Sequence, residues 1–242
     1  HLLSRQQFNT PDFPQPGDHG YDYWMYTQNN ASPSHKNPDN FVRNGEPVGK
    51  LEGYSAQLVA SEAAHWLKDI HDPAKPFAMT VWVHEPHSPI ATDPRFSDLY
   101  KGHENSKYMG NITQMDNALG MVMDALDAQG VSDDTFLFFT SDNGPVPAFG
   151  DSSGGLRGNK RSDHEGGIRV PGLARWPGHI EPGTTSEVPV IGTDLFATVL
   201  DIVDIPRPTD RTIDGVSMLP AFAGKPIERK IPLFWRTHVS SP

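Results

Sequence analysis

The apolar positions fall into alternating helical and extended patterns. From Tyr54 to Ile70, the residues Tyr54, Leu58, Ala63, Trp66, Leu67 and Ile70 recur at mostly three- and four-residue steps, which predicts a helix. Asp72-Pro73 ends it, because proline cannot continue a helix and disfavours helical geometry in the residue before it. Phe77–Val83 is nearly all apolar and rich in β-branched and aromatic residues, which predicts a fully buried strand. Lys107–Gln129 is the strongest helical pattern. Tyr108, Ile112, Met115, Leu119, Val122, Met123 and Leu126 form one stripe, and Gly130 stands where a C-terminal cap belongs. A second apolar run, Thr135–Thr140, leads directly into Ser141-Asp-Asn-Gly144. Ile168–Trp176 holds a further strand interrupted by Pro171. Thr193-Asp194 caps a helix to about Val203, with Leu195, Phe196, Val199, Leu200 and Val203 turned inward. Strand–helix alternation predicts an α/β fold with a mostly parallel central sheet flanked by helices.

The remaining segments are loop-like. Residues 1–53 carry little periodicity, and Pro11, Pro14, Pro16 and Gly17 mark turns. Tyr21–Tyr26 is an aromatic cluster that suits a short strand or a lid over a pocket. Gln28–Asn44 is polar. Past the last predicted helix, Pro206 and Pro208 open a stretch of short segments and turns.

Composition narrows the function classes. The chain has 242 residues, 36% hydrophobic and 21% charged, with a net charge of −10. An acidic chain lacks the basic footprint that a phosphate backbone requires, so no nucleic-acid partner is expected. No apolar run approaches the roughly 18 residues of a membrane span. Without cysteine there is no disulfide, thiolate metal site or Cys nucleophile. Asn30-Ala-Ser32 and Asn111-Ile-Thr113 match the glycosylation sequon, a pattern common by chance. His1-Leu-Leu-Ser-Arg5 does not read as a signal peptide.

Three segments carry candidate chemistry. Asp142 and Asn143, delivered by a strand end, offer a carboxylate and an amide oxygen, hard ligands suited to Ca2+ or Mg2+. Asp-Asn-Gly is also ordinary turn chemistry, and two ligands fall short of a shell of about six to eight oxygens. His84 and His87 flank Glu85-Pro86 at the end of the predicted strand, where an imidazole can donate a proton to a leaving oxygen. Zinc is the rival reading of His-x-x-His. Gly154–Lys160 has the composition of an anion-holding loop, with Arg157, Lys160 and Arg161 among glycines, although a surface loop has the same composition. Arg169 is a partner for an internal carboxylate. Asp116 and Asp124 suit a solvated helix face or a buried partner for an arginine.

Taken in order, these pieces resemble the formylglycine-dependent, arylsulfatase-like sulfatases of the alkaline-phosphatase-like superfamily. The resemblance rests on Gly20-Tyr-Asp-Tyr23, Asn44-Gly45, Gly53-Tyr-Ser55, His84-Glu-Pro-His-Ser-Pro89, Met115-Asp116, Thr140-Ser-Asp-Asn-Gly144 and Leu156-Arg-Gly-Asn-Lys160. It extends through Glu165-Gly-Gly-Ile-Arg-Val-Pro171, Arg175-Trp-Pro-Gly178, Thr193-Asp-Leu-Phe196 and Ile213-Asp-Gly-Val-Ser217. It implies that Asp142 and Asn143 are half of a Ca2+ site. His87 would contact the ester near the leaving oxygen, and Lys160 would bind the sulfate and bridging oxygen. His84, Arg157 and His164 would line the substrate site. His1, followed by Leu2, would match the histidine of the family's Gly-Lys-Trp-His-Leu segment. The implied reaction is in-line attack on sulfur by a hydrated formylglycine, with Ca2+ and Lys160 stabilising the sulfate charge. His87 assists the departing alcohol, and His1 assists release of sulfate.

Two departures qualify the match. No Cys/Ser-x-Pro-x-Arg pentapeptide occurs in residues 1–242, and no paired Asp ligands precede the matched segments. The resemblance therefore implies a partial catalytic domain. The nucleophile and the other metal ligands are expected before His1, and a small antiparallel C-terminal subdomain is expected after the chain. Such a segment is expected to be unstable as an isolated monomer and inactive alone. The expected substrate is an aryl or, better, carbohydrate sulfate ester, and the expected location is periplasmic or extracellular. The competing readings are a phosphodiesterase or phosphonate hydrolase of the same superfamily, and a catalytically dead module binding Ca2+ or a sulfated glycan.

Overall fold

The computed structural model describes residues 14–146 and 153–235, and the chain divides into two compact units, residues 1–132 and 133–242.

The first unit is built on two helices. Helix α1 runs Ser55–His65 and continues as a wider π turn over Trp66–Ile70; helix α3 runs Ser106–Ala128, and the short helix α2, Pro94–Ser97, lies between them. Both long helices form where the periodicity places them. Gly130 ends α3 with φ +68, and the Val131 amide reaches back to the Leu126 carbonyl. The core between them is made of small residues. Ala56, Ala60 and Ala63 of α1 meet Ala118 and Val122 of α3, and Met79, Val81 and Val83 close over them. Alanines let the two backbones approach, so the face of α3 that is buried carries Asn111, Gln114, Ala118, Val122 and Leu126. The predicted stripe is wider than this contact and leaves Ile112 exposed. Asp116 and Asp124 lie on the solvated side.

Phe77–Val83 is extended but belongs to no ladder, contrary to the expected buried strand. Among the described residues its backbone makes no hydrogen bond. Met79, Val81 and Val83 face the helices, whereas Trp82 on the other face is 82% exposed. One covered face produces the period of two characteristic of extended chain.

A three-stranded antiparallel meander, β1 (Met25–Tyr26), β2 (Val42–Arg43) and β3 (Glu46–Pro47), docks on α1. Glu62 of α1 holds it, accepting from the Tyr23 hydroxyl and from Arg43 through two bonds, the second of 2.7 Å. Burial, with the hydrogen bond to Glu62 behind it, pushes the Tyr23 phenol up to about 12. The polar stretch 28–44 is loop only as far as β2, which occupies Val42–Arg43, and it buries Ala31, His35, Pro38 and Phe41.

In the second unit, strand β4 (Leu137–Thr140) pairs with β5 (Gly172–Arg175), Leu137 opposite Arg175 and Thr140 opposite Gly172. The pairing is antiparallel, as are all ladders among the described residues, so the expected mostly parallel sheet is not what they form. The reason lies in the intervening chain, which doubles back on itself and returns β5 alongside β4 in reverse. Phe136 packs against Phe138, Trp176 and Phe222, the last on helix α6, Leu219–Phe222.

Helix α5, Gly192–Ile202, buries Asp194, Ala197 and Thr198. The expected apolar face is covered only in part: Leu195 and Leu200 are half-buried, whereas Phe196 and Val203 are 50% and 52% exposed. Asp194 decides the orientation. It accepts from the Ile191 and Val216 amides and from both terminal nitrogens of Arg229. Burial pushes its carboxyl up, but the Arg229 guanidinium and the two amides hold it below the usual carboxylate range. Gly215 approaches so closely that an added Cβ would sit 2.0 Å from the Thr193 carbonyl oxygen. The Ile213–Ser217 motif is thus a docking element for the start of α5.

Candidate functional site

In the first unit the extended chain 77–83 runs into a tight loop, 84–89, closed by the His87 amide donating to the His84 carbonyl over 2.8 Å. The His87 ring is exposed. Its Nδ1 lies 2.6 Å from the Ser88 carbonyl oxygen, which can only accept. Nδ1 therefore carries hydrogen, and Nε2 is left as the outward lone pair when neutral and as a proton donor when charged. The same Ser88 carbonyl accepts from Asn30 Nδ2 at 3.1 Å.

His84 points the other way. Its Nε2 meets Thr27 Oγ1 at 2.8 Å, and its ring packs against His35 and Phe41. Burial, then the neighbouring His35 and His87 charges, push it down to about 4, so it is neutral at neutral pH. Glu85, between the two histidines, is buried. Its Oε1 accepts from Ser55 Oγ at 2.9 Å, the Ala56 amide at 3.2 Å and Gln114 Nε2 at 3.0 Å. Among the described residues no three His, Asp or Glu side chains converge as a metal cluster, so the zinc reading of His84 and His87 gains no third ligand.

In the second unit Asp142 and Asn143 follow β4 directly. Asn143 Nδ2 donates to the Gly144 carbonyl at 3.0 Å, which leaves Oδ1 as its open acceptor. Asp142 is exposed, with no partner among the described residues. A knot of close backbone contacts then brings the cationic loop to this strand end. The Gly144 amide donates to the Gly167 carbonyl at 2.9 Å, the Lys160 amide to Pro145 at 2.9 Å, and the Gly166 amide to Arg157 at 2.8 Å. Only glycine fits here: a Cβ on Gly144 would lie 1.9 Å from the Gly166 oxygen, and one on Gly166 would lie 2.1 Å from the Gly158 oxygen. The Lys160 ammonium has no ion-pair partner among the described residues. Arg157 and His164 are exposed on the same loop, His164 preceding the short helix α4, Glu165–Ile168. Arg169 pairs with Glu165 over 3.4 Å on the surface, rather than with an internal carboxylate. Its own helical turn supplies the nearer partner.

An open carboxylate and an open amide oxygen fit a hard divalent cation such as Ca2+ in chemistry. They would supply only part of the shell, and no group of three His, Asp or Glu side chains surrounds them among the described residues. His1 lies outside the described residues. His84 and His87 belong to one unit; Asp142, Asn143, Arg157, Lys160 and His164 belong to the other.

Comparison with known proteins assigns a fold and then a family. The chain superimposes with a TM-score of 0.77 on the crystal structure of Ps i-CgsB in complex with k-i-k-neocarrahexaose. The two are 24% identical, over 88% of this chain and 52% of that one. It also superimposes, with a TM-score of 0.70 and 20% identity, on BT4656 in complex with D-glucosamine-2-N,6-O-disulfate, over 93% and 62% of the two chains. The fold is that of the alkaline-phosphatase-like sulfatases. The sulfatase family model matches residues 1–205, and the chain belongs to that family. It is 32% identical to N-acetylgalactosamine-6-sulfatase of Rattus norvegicus, over 96% of this chain and 46% of the rat protein. It is 36% identical to steryl-sulfatase of the same species, over 69% and 30%. The chain spans about half or less of the length of these relatives.

Sequence reasoning missed Glu85, Asn111 and Gln114 as a buried polar set. The available signal was a charged residue directly ending an apolar run, followed by two amide side chains three apart on the partner helix.

Proposed function

We propose that the protein hydrolyses a sulfuric ester, and that its substrate is a sulfated carbohydrate. The observation that supports this most is the glycine knot. It joins Asp142 and Asn143, with open oxygens, to Lys160, with an open cation, in one compact loop system. A sulfate ester needs both: positive charge on its non-bridging oxygens and hard ligands for a metal beside it. Asp142 and Asn143 would hold Ca2+, which when bound supplies further positive charge to polarise the sulfate. Lys160 binds the sulfate as a point charge. His87 donates its Nε2 proton to the alcohol oxygen as the S–O bond breaks, while its Nδ1–H stays on the Ser88 carbonyl. Arg157 and His164 flank the same loop as contacts for the remainder of the substrate, and His84 supports the loop that carries His87. His1 assists release of sulfate. A formylglycine, if the natural-length protein carries one, would supply the attack on sulfur.

The carbohydrate assignment draws on the relatives named for N-acetylgalactosamine-6-sulfate and on neighbours solved with k-i-k-neocarrahexaose and with D-glucosamine-2-N,6-O-disulfate. A periplasmic or extracellular location accompanies it. The test is a substrate panel on the natural-length protein: hexosamine sulfates, sulfated galactans, an aryl sulfate and an aryl phosphodiester. Release of sulfate from a sugar is the expected result. Faster turnover of the phosphodiester would overturn the assignment, and binding of sulfated sugar without turnover would point to a binding module.

A further inference from the structure

The His87 ring is exposed, and among the described residues its hydrogen-bond partner is the carbonyl of the next residue. That bond sets the tautomer and ties the ring to its own loop. Its position is inherited from the loop backbone, and the loop is held from beneath by Glu85. This side chain is 3% exposed. Its Oε1 gathers the Ser55 hydroxyl and the Ala56 amide, both at the N-terminus of α1, together with the Gln114 amide of α3. Gln114 in turn receives the Asp93 amide at 2.8 Å and donates to the Ala91 carbonyl at 3.3 Å, where Asn111 also donates. One oxygen thus ties the loop to both core helices.

The arrangement is costly. Among the described residues, Glu85 Oε2 is buried without a hydrogen-bond partner, as is Asn111 Oδ1. An apolar residue of similar volume would avoid that burden if stability alone were at stake. A polar anchor does something an apolar one cannot: directional bonds to a helix terminus set the loop in one place. A proton donor must sit within about 0.5 Å and 10–20° of its productive geometry. We propose that Glu85, which need not touch substrate, is the positioning residue for His87, acting through its bonds to Ser55, Ala56 and Gln114. This rests on the reading of His87 as the acid that assists the leaving alcohol.

Two measurements on the natural-length protein test it. The first is the rate on a series of sulfate esters with good (nitrophenol-like) and poor (sugar alcohol) leaving groups. His87→Ala is expected to lose roughly 100-fold or more on poor leaving groups, and less on good ones. Glu85→Ala should lose a selective factor of the same kind, Glu85→Gln should largely restore it by keeping the acceptor oxygen, and neither should add selective loss to His87→Ala. Ser55→Ala, which removes one donor and little volume, should show a smaller loss of the same selectivity if Glu85→Ala does not fold. The second is the nitrogen-15 spectrum of the His87 ring. The parent should show the Nδ1–H tautomer, with a mixture in Glu85→Ala or Ser55→Ala. Equal losses across all leaving groups together with an unchanged His87 spectrum would overturn the proposal. If His87→Ala shows no leaving-group selectivity, the acid assignment fails, and the spectrum alone still decides whether Glu85 positions the ring.

Discussion

The Lys160 amide donates to the Pro145 carbonyl over 2.9 Å. This bond ties the residue that follows the Thr140–Gly144 motif to the end of the Leu156–Lys160 motif. Around it, glycines at 144, 166 and 167 let carbonyl oxygens approach where any side chain would collide. The Glu165-Gly-Gly167 run is therefore a packing requirement of the Arg157–Lys160 loop.

Replacing Gly166 with alanine should disrupt this knot, because the new Cβ has only backbone to meet at 2.1 Å. A loss of about 1–3 kcal/mol in stability is expected from such overpacking, together with lost sulfate-ester turnover. Gly192→Ala, at a glycine with open space around it, is the control. Thermal unfolding of both variants checks this.

Lys160→Ala should act on chemistry and leave the fold intact, because the Lys160 amide, which makes the structural bond, is retained. A fall in kcat/KM of roughly 100- to 1000-fold is expected for removal of one charge-stabilising group, with an unchanged melting temperature. Steady-state kinetics beside a melting curve separate the two.

Asp194 and Arg229 form a buried ion pair whose loss should be felt as stability. Arg229→Met leaves the Asp194 carboxylate buried with two amide donors and no counter-charge, and about 3–5 kcal/mol of destabilisation is expected. The Asp194 carboxyl lies below its ordinary value of 3.8 in the folded state. Its contribution is present above that value and is lost as pH falls through the folded value. Parent and variant should converge in acid, which denaturant titration across that range measures.

The buried histidines predict a second acid effect at higher pH. His84 falls from 6.5 to about 4 on folding, and His35 is also lowered by burial, against the opposing influence of Glu85. Each binds its proton more readily when unfolded. Stability should therefore be full above about 6.5 and decline as pH drops toward 4, at up to about 1.4 kcal/mol per pH unit for each histidine. His84→Asn should flatten that slope, as read from unfolding midpoints over the same window.

What the sequence reveals and what it conceals divide along physical lines. Helix positions are local: the spans of α1, α3 and α5 follow from periodicity and caps within a residue or two. Which face of a helix is buried depends on its partner. On α5, the charged Asp194 faces inward because Arg229, 35 residues later, meets it there. Strand direction is also nonlocal. The sequence suggested a parallel strand at 135–140, but the fold-back at Gly144 and Gly167 sets β5 antiparallel to it. The candidate site residues stand in motifs that can be read locally. The side chains that hold them, Glu85, Gln114 and Asn30, cannot be read this way, since their roles depend on contacts between segments far apart in sequence.

Calcium dependence tests the central assignment most directly. Sulfate release by the natural-length protein should be measured after EGTA treatment and again with excess Ca2+, for the parent and for Asp142→Ala, alongside Ca2+ binding by calorimetry. The parent is expected to lose turnover and regain it with Ca2+, while Asp142→Ala binds Ca2+ more weakly and fails to recover. Turnover by Asp142→Ala at the parent rate, unaffected by EGTA, would contradict the placement of the metal and sulfate site at Asp142, Asn143 and Lys160.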